Sequence, residues 1–258
     1  MDILTSKANG ILTIEFNRPE RKNAITSAMY QAMADAINDG EQDAAVRAIL
    51  ITGKPEVFTA GNDLDDFLKS APRQADEFLK LPVFQFMQAL SGTTKPVVAA
   101  VTGLAIGIGT TLLMHCDLVY AADNAKLSVP FAPLGLCPEF GSSVLLAQFG
   151  GHARAAEKLM LGEPFLAKEA YDMGLISKLL PAEEVLAYAQ AQAAKLVALP
   201  ASSIRATKRL MKANGADALA TVLATEGKLF GEMLQSPEAK EAFTAFFEKR
   251  KPDFSKFA

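Results

Sequence analysis

Hydrophobic positions in the first part of the chain, up to about residue 180, follow two alternating patterns. Short apolar runs rich in β-branched residues, bounded by Gly, Pro, Asn or Lys, predict β-strands. Between these runs, apolar residues recur at helical spacing, and Thr26 is a plausible N-cap for the first helix. The pattern predicts strands over Ile11–Phe16, Val46–Thr52, Pro96–Val101 and Asp117–Ala121, and helices over Ser27–Asn38, over Gln74–Leu90 and directly after Gly107. Strands that alternate with helices indicate an α/β fold with largely parallel strands.

Beyond residue 180 the pattern is helical throughout and rich in alanine. Prolines at positions 181, 200 and 237 separate the helical segments. Helices are predicted over Pro181–Leu199, Ser202–Ala213, Asp217–Leu234 and Pro237–Lys251. We therefore expect an α/β core over residues 1–195 and an all-helical carboxyl-terminal extension over residues 196–258.

Composition narrows the function classes. The 258 residues are 50% hydrophobic and 21% charged, which is typical of a soluble globular protein. A formal net charge of −3 gives no reason to expect nucleic acid or an anionic membrane as a partner. Two cysteines and two histidines are too few for a disulfide framework or a histidine-rich metal site. The chain lacks a signal-peptide pattern and a run of membrane-spanning length, so we expect a cytoplasmic protein without a metal ion.

One carboxylate is isolated in the sequence. Glu139 is the single charged residue between Lys126 and Arg154, in an apolar and glycine-rich stretch. A structural interpretation is that it interacts with the first-turn amides of a following helix. A functional interpretation is that it carries a proton in a reaction, which requires partners elsewhere in the chain. The stretch alone leaves both interpretations open.

Two other loops are candidates for such partners. Val57–Leu64 and Gly103–Thr111 each follow a predicted strand and precede a predicted helix, with small residues that let a ligand approach the main chain. Each loop can offer one backbone N–H, and together two such groups can stabilise the oxyanion of a thioester enolate. The alternatives are a tightly packed turn for the glycine loop and simple helix capping for Asp63.

Five segments, in this order along the chain, carry a family resemblance. They are NRPERKNAI (Asn17–Ile25), VFTAGNDL (Val57–Leu64), KPVVAAVTGLAIGIGTTLLMHCDLVYAAD (Lys95–Asp123), PLGLCPEFGSS (Pro133–Ser143) and FFEKRKPDF (Phe246–Phe254). The chain thereby resembles the crotonase, or enoyl-CoA hydratase/isomerase, superfamily. The resemblance implies an α/β spiral of ββα units, a helical carboxyl-terminal region used for trimerisation, and a homotrimer or dimer of trimers. It also implies an acyl-CoA thioester as substrate, with no separate cofactor.

The same resemblance assigns roles to individual residues. The main-chain N–H groups of Asn62 and Ile108 would form the oxyanion hole around the thioester carbonyl. The coenzyme A moiety would be contacted by Arg18, Lys22, Ala24, Ala60, Asp63, Leu64 and Lys249.

The sequence departs from the hydratases of this superfamily at both of their catalytic glutamates. Thr111 and Phe131 stand at those two positions, and neither side chain can serve as a general base near neutral pH. Glu139 instead stands where the delta-3,delta-2-enoyl-CoA isomerases carry their single catalytic glutamate. We therefore expect an enoyl-CoA isomerase with Glu139 as its acid/base. The alternatives are a hydratase or another crotonase reaction that uses Glu139 differently, and a non-catalytic acyl-CoA-binding protein.

Overall fold

The computed structural model describes residues 1–69 and 80–257. In this part of the chain the strands are β1 (Ile3–Ala8), β2 (Ile11–Phe16), β3 (Ala48–Thr52), β4 (Val97–Val101), β5 (Leu104–Ile106), β6 (Leu118–Ala122), β7 (Lys126–Ser128), β8 (Phe165–Leu166) and β9 (Lys178–Leu180). The α-helices are α1 (Ser27–Gln42), α2 (Leu64–Lys69), α3 (Pro82–Gly92), α4 (Ile108–Thr111), α5 (Ser142–Gly150), α6 (His152–Leu161), α7 (Ala167–Asp172), α8 (Val185–Ala198), α9 (Ala201–Ala213), α10 (Ala216–Met233) and α11 (Pro237–Phe247). None of the described helices is long and apolar enough to cross a membrane.

The larger sheet of the described residues has six strands in the order β1-β2-β3-β4-β6-β9. Only β1 and β2 pair antiparallel, through a hairpin whose Asn9 and Gly10 both have positive φ, as a tight primed turn requires. The other pairs are parallel, and every residue of β3 and β4 is buried. Parallel strands covered on both faces read as continuous apolar runs, which is why the sequence predicts them well.

A small second sheet, β5-β7-β8, lies beside the loops of interest. Its first strand follows β4 directly and leads into α4. The turn between β4 and β5 is at Gly103, where a β-carbon would lie 1.9 Å from the carbonyl oxygen of Glu56. Glycine is therefore required there for β5 to pass close to the segment that follows β3.

The predicted α/β class is confirmed, with adjustments at the ends of elements. Thr26 caps α1 by accepting a hydrogen bond from the amide of Met29, and α1 runs four residues further than predicted. The predicted helix Gln74–Leu90 begins outside the described residues, and α3 begins at Pro82, where proline suits the first helical turn. The helix after Gly107 is short and continues as a 3₁₀ turn over Leu112–His115.

The four predicted carboxyl-terminal helices are present, although α8 begins four residues later and α11 ends four residues earlier than predicted. Helix α8 packs on β3, β4 and β6 and runs through the predicted boundary at residue 195. Helices α10 and α11 lie against the segment that carries Glu139. A β-carbon at Gly141 would come within 2.6 Å of Leu219 on α10, and one at Gly135 within 2.7 Å of the Ala239 amide on α11. Both helices therefore form walls of the region described next.

Candidate active site

The two loops predicted to supply backbone amides are in direct contact. Thr59 and Ala105 form an isolated parallel bridge, in which the Thr59 amide donates to Leu104 at 2.9 Å and the Ile106 amide donates to Thr59 at 3.1 Å. Gly61 has a φ of 85°, and a β-carbon there would lie 2.8 Å from the Ile106 carbonyl oxygen. Only glycine permits this approach, so the small residues of both loops serve the contact between them.

Each loop presents one unused backbone amide. Across the described residues, neither the Asn62 N–H nor the Ile108 N–H has a hydrogen-bond acceptor, whereas the neighbouring Asp63 and Gly107 amides are bonded. Ile108 is the first residue of α4, where amides have no partner within the helix. Gly107 has a φ of 57° and a ψ of −120°, a conformation that essentially only glycine adopts. The sharp turn at Gly107 leaves the Ile108 amide free for a ligand.

Glu139 is buried, and among the described residues one side chain binds its carboxyl group. Only 4% of the residue is exposed, and the Thr111 hydroxyl donates to Oε1 at 2.5 Å. Among the described residues, Oε2 is buried without any hydrogen-bond partner. Burial raises the pKa of Glu139 to about 8, because the Thr111 hydrogen bond only partly offsets it and the charge of Glu226 adds to it. Such a group can both release and take up a proton near neutral pH.

The structure rejects the helix-capping interpretation of Glu139. The amides at the start of α5 are bonded by another carboxylate, Glu226 on α10. Oε2 of Glu226 accepts from the Gly141 amide at 2.6 Å, and Oε1 accepts from the Ser143 amide at 3.1 Å and from the Ser143 hydroxyl. Glu139 is thus not needed to satisfy these amides. The sequence analysis missed Glu226, since nothing in the pattern of α10 separates it from a surface glutamate.

A buried histidine fixes the backbone directly after Glu139. Phe140 has a φ of 57°, a left-handed conformation that is rare for a bulky residue. Its carbonyl oxygen lies 2.8 Å from His115 Nε2, and the two rings stack at 3.8 Å. Burial lowers the pKa of His115 to about 3, so the neutral ring donates from Nε2 to the carbonyl. His115 is a core residue, and its hydrogen bond and stacking contact support this left-handed turn.

A tyrosine that the sequence analysis also missed faces the same space. The Tyr30 hydroxyl donates to the Asn62 side-chain oxygen at 2.5 Å. Burial raises the pKa of Tyr30, and the negative charges of Glu139 and Asp66 raise it further. Tyr30 occupies an apolar position of amphipathic helix α1, which in the sequence indicates core packing only.

Most residues predicted to contact coenzyme A lie together. Arg18 Nη1 donates to Asp63 Oδ2 at 2.7 Å and to the Ala24 carbonyl at 2.9 Å. The Ala60 amide donates to the Lys22 carbonyl at 3.0 Å, which joins the first segment to the Val57–Leu64 loop. Leu64 is partly buried and begins α2.

Asp63 has both a capping and an ion-pairing role. Its Oδ1 accepts from the Asp66 amide at 3.1 Å in the first turn of α2. Burial alone would raise the pKa of Asp63, yet the Arg18 and Asp66 hydrogen bonds and the charges of Arg18 and Arg21 lower it. Asp63 is therefore an anionic anchor for Arg18, and the capping alternative for this residue is confirmed.

Lys249 stands apart from this group. It is exposed after the end of α11, with a φ of 55°, and within the described residues it makes no hydrogen bond or ion pair to the Arg18 segment. Phe131, at the second hydratase position, is buried with its ring 6.4 Å from the ring of Phe230. The structure thus gathers six of the predicted coenzyme A residues and leaves Lys249 outside them.

Known proteins match nearly the whole chain. The family model for enoyl-CoA hydratase/isomerase matches residues 6–256. A probable enoyl-CoA hydratase of Bacillus subtilis is 36% identical over 245 residues, 95% of this chain and 94% of that protein. Enoyl-CoA delta isomerase 2 of Rattus norvegicus is 34% identical over 250 residues, 96% of this chain and 64% of that protein. The solved structure of Pseudomonas aeruginosa OdaA is 47% identical, with a TM-score of 0.91, and covers 95% of this chain and 98% of its own.

These similarities confirm the crotonase fold that the sequence motifs predict. The relatives carry both hydratase and isomerase names, so their similarity establishes the acyl-CoA-processing family and not one reaction. The chain belongs to the enoyl-CoA hydratase/isomerase family of the crotonase superfamily.

Proposed function

We propose that the protein is an enoyl-CoA isomerase that moves the double bond of a 3-enoyl-CoA to the trans-2 position. The observation that carries this proposal is Oε2 of Glu139, which is buried and has no hydrogen-bond partner among the described residues, while Thr111 binds the other oxygen. Thr111 lies three residues after Ile108, so the residue that binds Glu139 and the unused Ile108 amide belong to the same helical turn of α4. A single base and an oxyanion hole are the groups that this reaction needs.

The reaction can be written with Glu139 as the only proton carrier. Its carboxylate removes a proton from C2 of the substrate, and the electron pair moves into the thioester carbonyl. The Asn62 and Ile108 amides stabilise the resulting dienolate oxygen. The same carboxyl group then returns the proton to C4, the C3–C4 double bond becomes a C2–C3 double bond, and Glu139 is again ionised. A pKa raised by burial suits both halves of this cycle.

Hydration is the less suitable reaction for this site. It needs a water molecule activated at one carbon and a proton delivered to the next, work that two positioned acid/base groups usually divide. The two hydratase positions hold Thr111, whose hydroxyl is used in binding Glu139, and Phe131, which has no transferable proton. One carboxyl group remains for two tasks.

Coenzyme A would bind across the group formed by Arg18, Lys22, Ala24, Ala60, Asp63 and Leu64. Lys22 is exposed and makes no ion pair within the described residues, so its charge is open to a phosphate group. Arg18 is already held by Asp63, and we propose that it shapes this site more than it neutralises phosphate. Lys249 has no hydrogen bond or ion pair to this group within the described residues, and we propose that it joins the site from another subunit.

We also propose that the protein assembles as a trimer or a pair of trimers. Several large apolar side chains of the carboxyl-terminal half are exposed in the single chain. They include Met160 and Leu161 on α6, Leu210 and Met211 on α9, and Phe246 and Phe247 on α11, with exposures of 47% to 78%. Exposed apolar patches on a soluble protein often mark contacts with other chains, and these side chains therefore support burial between subunits.

The proposed reaction is tested by product analysis. The protein is incubated with a 3-enoyl-CoA and, separately, with a trans-2-enoyl-CoA, and the thioesters are separated by chromatography and identified by mass. We expect the 3-enoyl-CoA to give trans-2-enoyl-CoA, and the trans-2-enoyl-CoA to gain water far more slowly. Faster hydration than isomerisation would show a hydratase. Binding of both thioesters without turnover would show a non-catalytic acyl-CoA-binding protein.

A further inference from the structure

A second buried carboxylate, distant in sequence, lies next to the Glu139 turn. Glu226 projects from α10, is only 7% exposed, and accepts three hydrogen bonds. All three come from Gly141 and Ser143, two and four residues after Glu139. A carboxyl group whose oxygens only accept hydrogen bonds is best satisfied in its ionised form.

The contact between α10 and the Glu139 turn is tight. Gly141 has a φ of 73°, and a β-carbon there would lie 2.6 Å from the side chain of Leu219 on α10. Phe140 and Gly141 are thus successive left-handed residues, a conformation that persists only where the surroundings enforce it. His115 holds the first of these residues and Glu226 holds the second.

We propose that Glu226 is a positioning residue that acts through Glu139, by fixing the backbone turn that follows Glu139 and by placing a negative charge beside the same buried space. The inference rests on the proposed role of Glu139 as the proton carrier. It gives the carboxyl-terminal helical region a part in the chemistry, in addition to the assembly role predicted for it.

The charged and titratable groups around Glu139 are few among the described residues. Tyr30 faces it from α1 and Glu226 from α10, while Cys137 lies two residues before it in its own segment. His115 is neutral at physiological pH, and Thr111 donates a hydrogen bond without a charge. Of these, Glu226 is the acidic group whose charge acts on Glu139. Burial raises the pKa of Glu226, and its hydrogen bonds from Gly141 and Ser143 oppose that effect by stabilising the carboxylate. Like charges disfavour ionisation. Removing that charge should make Glu139 ionise more readily.

The test measures the titration of Glu139 directly, without substrate. The full-length protein is labelled with ¹³C at the glutamate carboxyl carbons, and the Glu139 and Glu226 signals are assigned from Glu139→Gln and Glu226→Gln. We expect Glu226→Gln to lower the titration midpoint of Glu139 by about 1 pH unit. Glu232→Gln, the same substitution at an exposed position of α10, is the matched control and should leave the midpoint unchanged.

A companion variant separates position from charge. Glu226→Asp keeps the charge but is one methylene shorter, so it cannot reach both the Gly141 and Ser143 amides. We expect it to keep the Glu139 midpoint within a few tenths of a pH unit and to lower isomerase turnover by roughly tenfold, because small displacements of a catalytic group reduce rates strongly. Its KM should change little, since the three hydrogen bonds of the Glu226 carboxyl group go to Gly141 and Ser143 and not to the coenzyme A residues.

A further measurement is made on the wild-type protein, in which the Glu226 carboxyl signal is also assigned through bonds to its own backbone amide, so it does not depend on the folding of a Glu226 variant. In the wild-type protein, the Glu226 carboxyl signal should show a second inflection at the pH where Glu139 titrates. An unchanged Glu139 midpoint in Glu226→Gln, or no second inflection in the wild-type protein, would overturn the proposal. Because the titrations do not require turnover, that failure is distinct from the absence of isomerase activity.

Discussion

The hydroxyl group of Thr111 donates a hydrogen bond of 2.5 Å to Oε1 of Glu139. Thr111, which the family resemblance places at one of the two glutamate positions of the hydratases, thus orients the carboxyl group of Glu139. With Oε1 occupied, Oε2 is buried without a hydrogen-bond partner among the described residues, and it is the oxygen that we assign to the proton transfer. The hydrogen bond therefore predicts different roles for the two carboxyl oxygens: Oε1 is held by Thr111, and Oε2 takes part in the reaction. Variants of Thr111 test this prediction.

Thr111→Val removes the hydroxyl while nearly preserving the shape of the side chain. Because the hydrogen bond lowers the pKa of Glu139 against the effect of burial, its loss should move the midpoint of the kcat/KM profile above its wild-type value near pH 8. Turnover should fall about tenfold or more, since a hydrogen bond to a charged group contributes roughly 1.5–3 kcal/mol. Thr111→Ser, which keeps the hydroxyl, is the control and should retain most of the activity. A Val variant with wild-type rate and pH profile would show that Thr111 does not orient Glu139.

The burial of Glu139 should also be visible in stability. The unfolded-state pKa is near the ordinary value of 4.5 and the folded-state pKa is about 8. Between these values the folded protein binds a proton that the unfolded chain lacks, so the stability contribution of Glu139 is lost as pH rises.

The Glu139→Gln variant has no ionisable group at this position, so its stability does not fall with pH in this way. Its free energy of unfolding should exceed that of the wild type by an amount that grows about 1 kcal/mol per pH unit from pH 5 to pH 8. Denaturant unfolding of both proteins at equal concentration measures the difference. Equal stabilities at pH 5 and pH 8 would contradict the raised pKa.

Tyr30 offers a test of the oxyanion hole that leaves its amides in place. Its hydroxyl holds the side chain of Asn62, whose backbone N–H we assign to the hole. Tyr30→Phe should lower kcat by about tenfold with little change in KM, because the hydrogen bond aligns an amide used in the transition state. Asn62→Ala removes the same hydrogen bond from its other end.

The double variant of Tyr30→Phe and Asn62→Ala should lose no more activity than either single variant, as expected for two partners of one interaction. Additive losses would mean that Tyr30 acts separately from Asn62. Thermal unfolding of the three variants reports whether packing in α1 has changed.

The proposed assembly depends on exposed apolar side chains. Leu210 and Met211 on α9 are 70% and 78% exposed in the single chain. Light scattering of the wild-type protein should give the mass of a trimer or hexamer, and replacing both residues by aspartate should lower it, because buried unpaired charges destabilise an interface. Ser203→Asp is the control, because it adds a charge to the same helix at a position that is already polar and exposed. A wild-type monomer with full activity would contradict the assembly.

The core of the fold is readable from the sequence because it is made of uniformly buried elements. Strands β3 and β4 are buried at every position and apolar at all but Thr52, and α1 has a clear apolar face and a capping threonine. The strands that the sequence analysis did not predict lack a repeating apolar pattern. β1 buries only its first residue, and β8 has two residues, so neither shows a repeating pattern.

The site was predictable where its chemistry is unusual in sequence. An isolated glutamate and two glycine-containing loops after strands stand out from their surroundings. The residues that support them do not. Tyr30, His115 and Glu226 act across separations of 32, 25 and 85 residues, and each resembles an ordinary core or helix position until the fold brings its partner near.

The central claim is that Glu139 is the proton carrier of an isomerase, and Glu139→Gln tests it most directly. The variant keeps shape and hydrogen-bonding capacity, so binding of the coenzyme A thioester should survive, while turnover of 3-enoyl-CoA to trans-2-enoyl-CoA should fall roughly a thousandfold, within the range of general acid/base catalysis. The wild-type kcat/KM should rise with pH to a midpoint near 8, where the carboxylate form becomes dominant. Isomerisation by the glutamine variant at the wild-type rate would contradict the one-base mechanism.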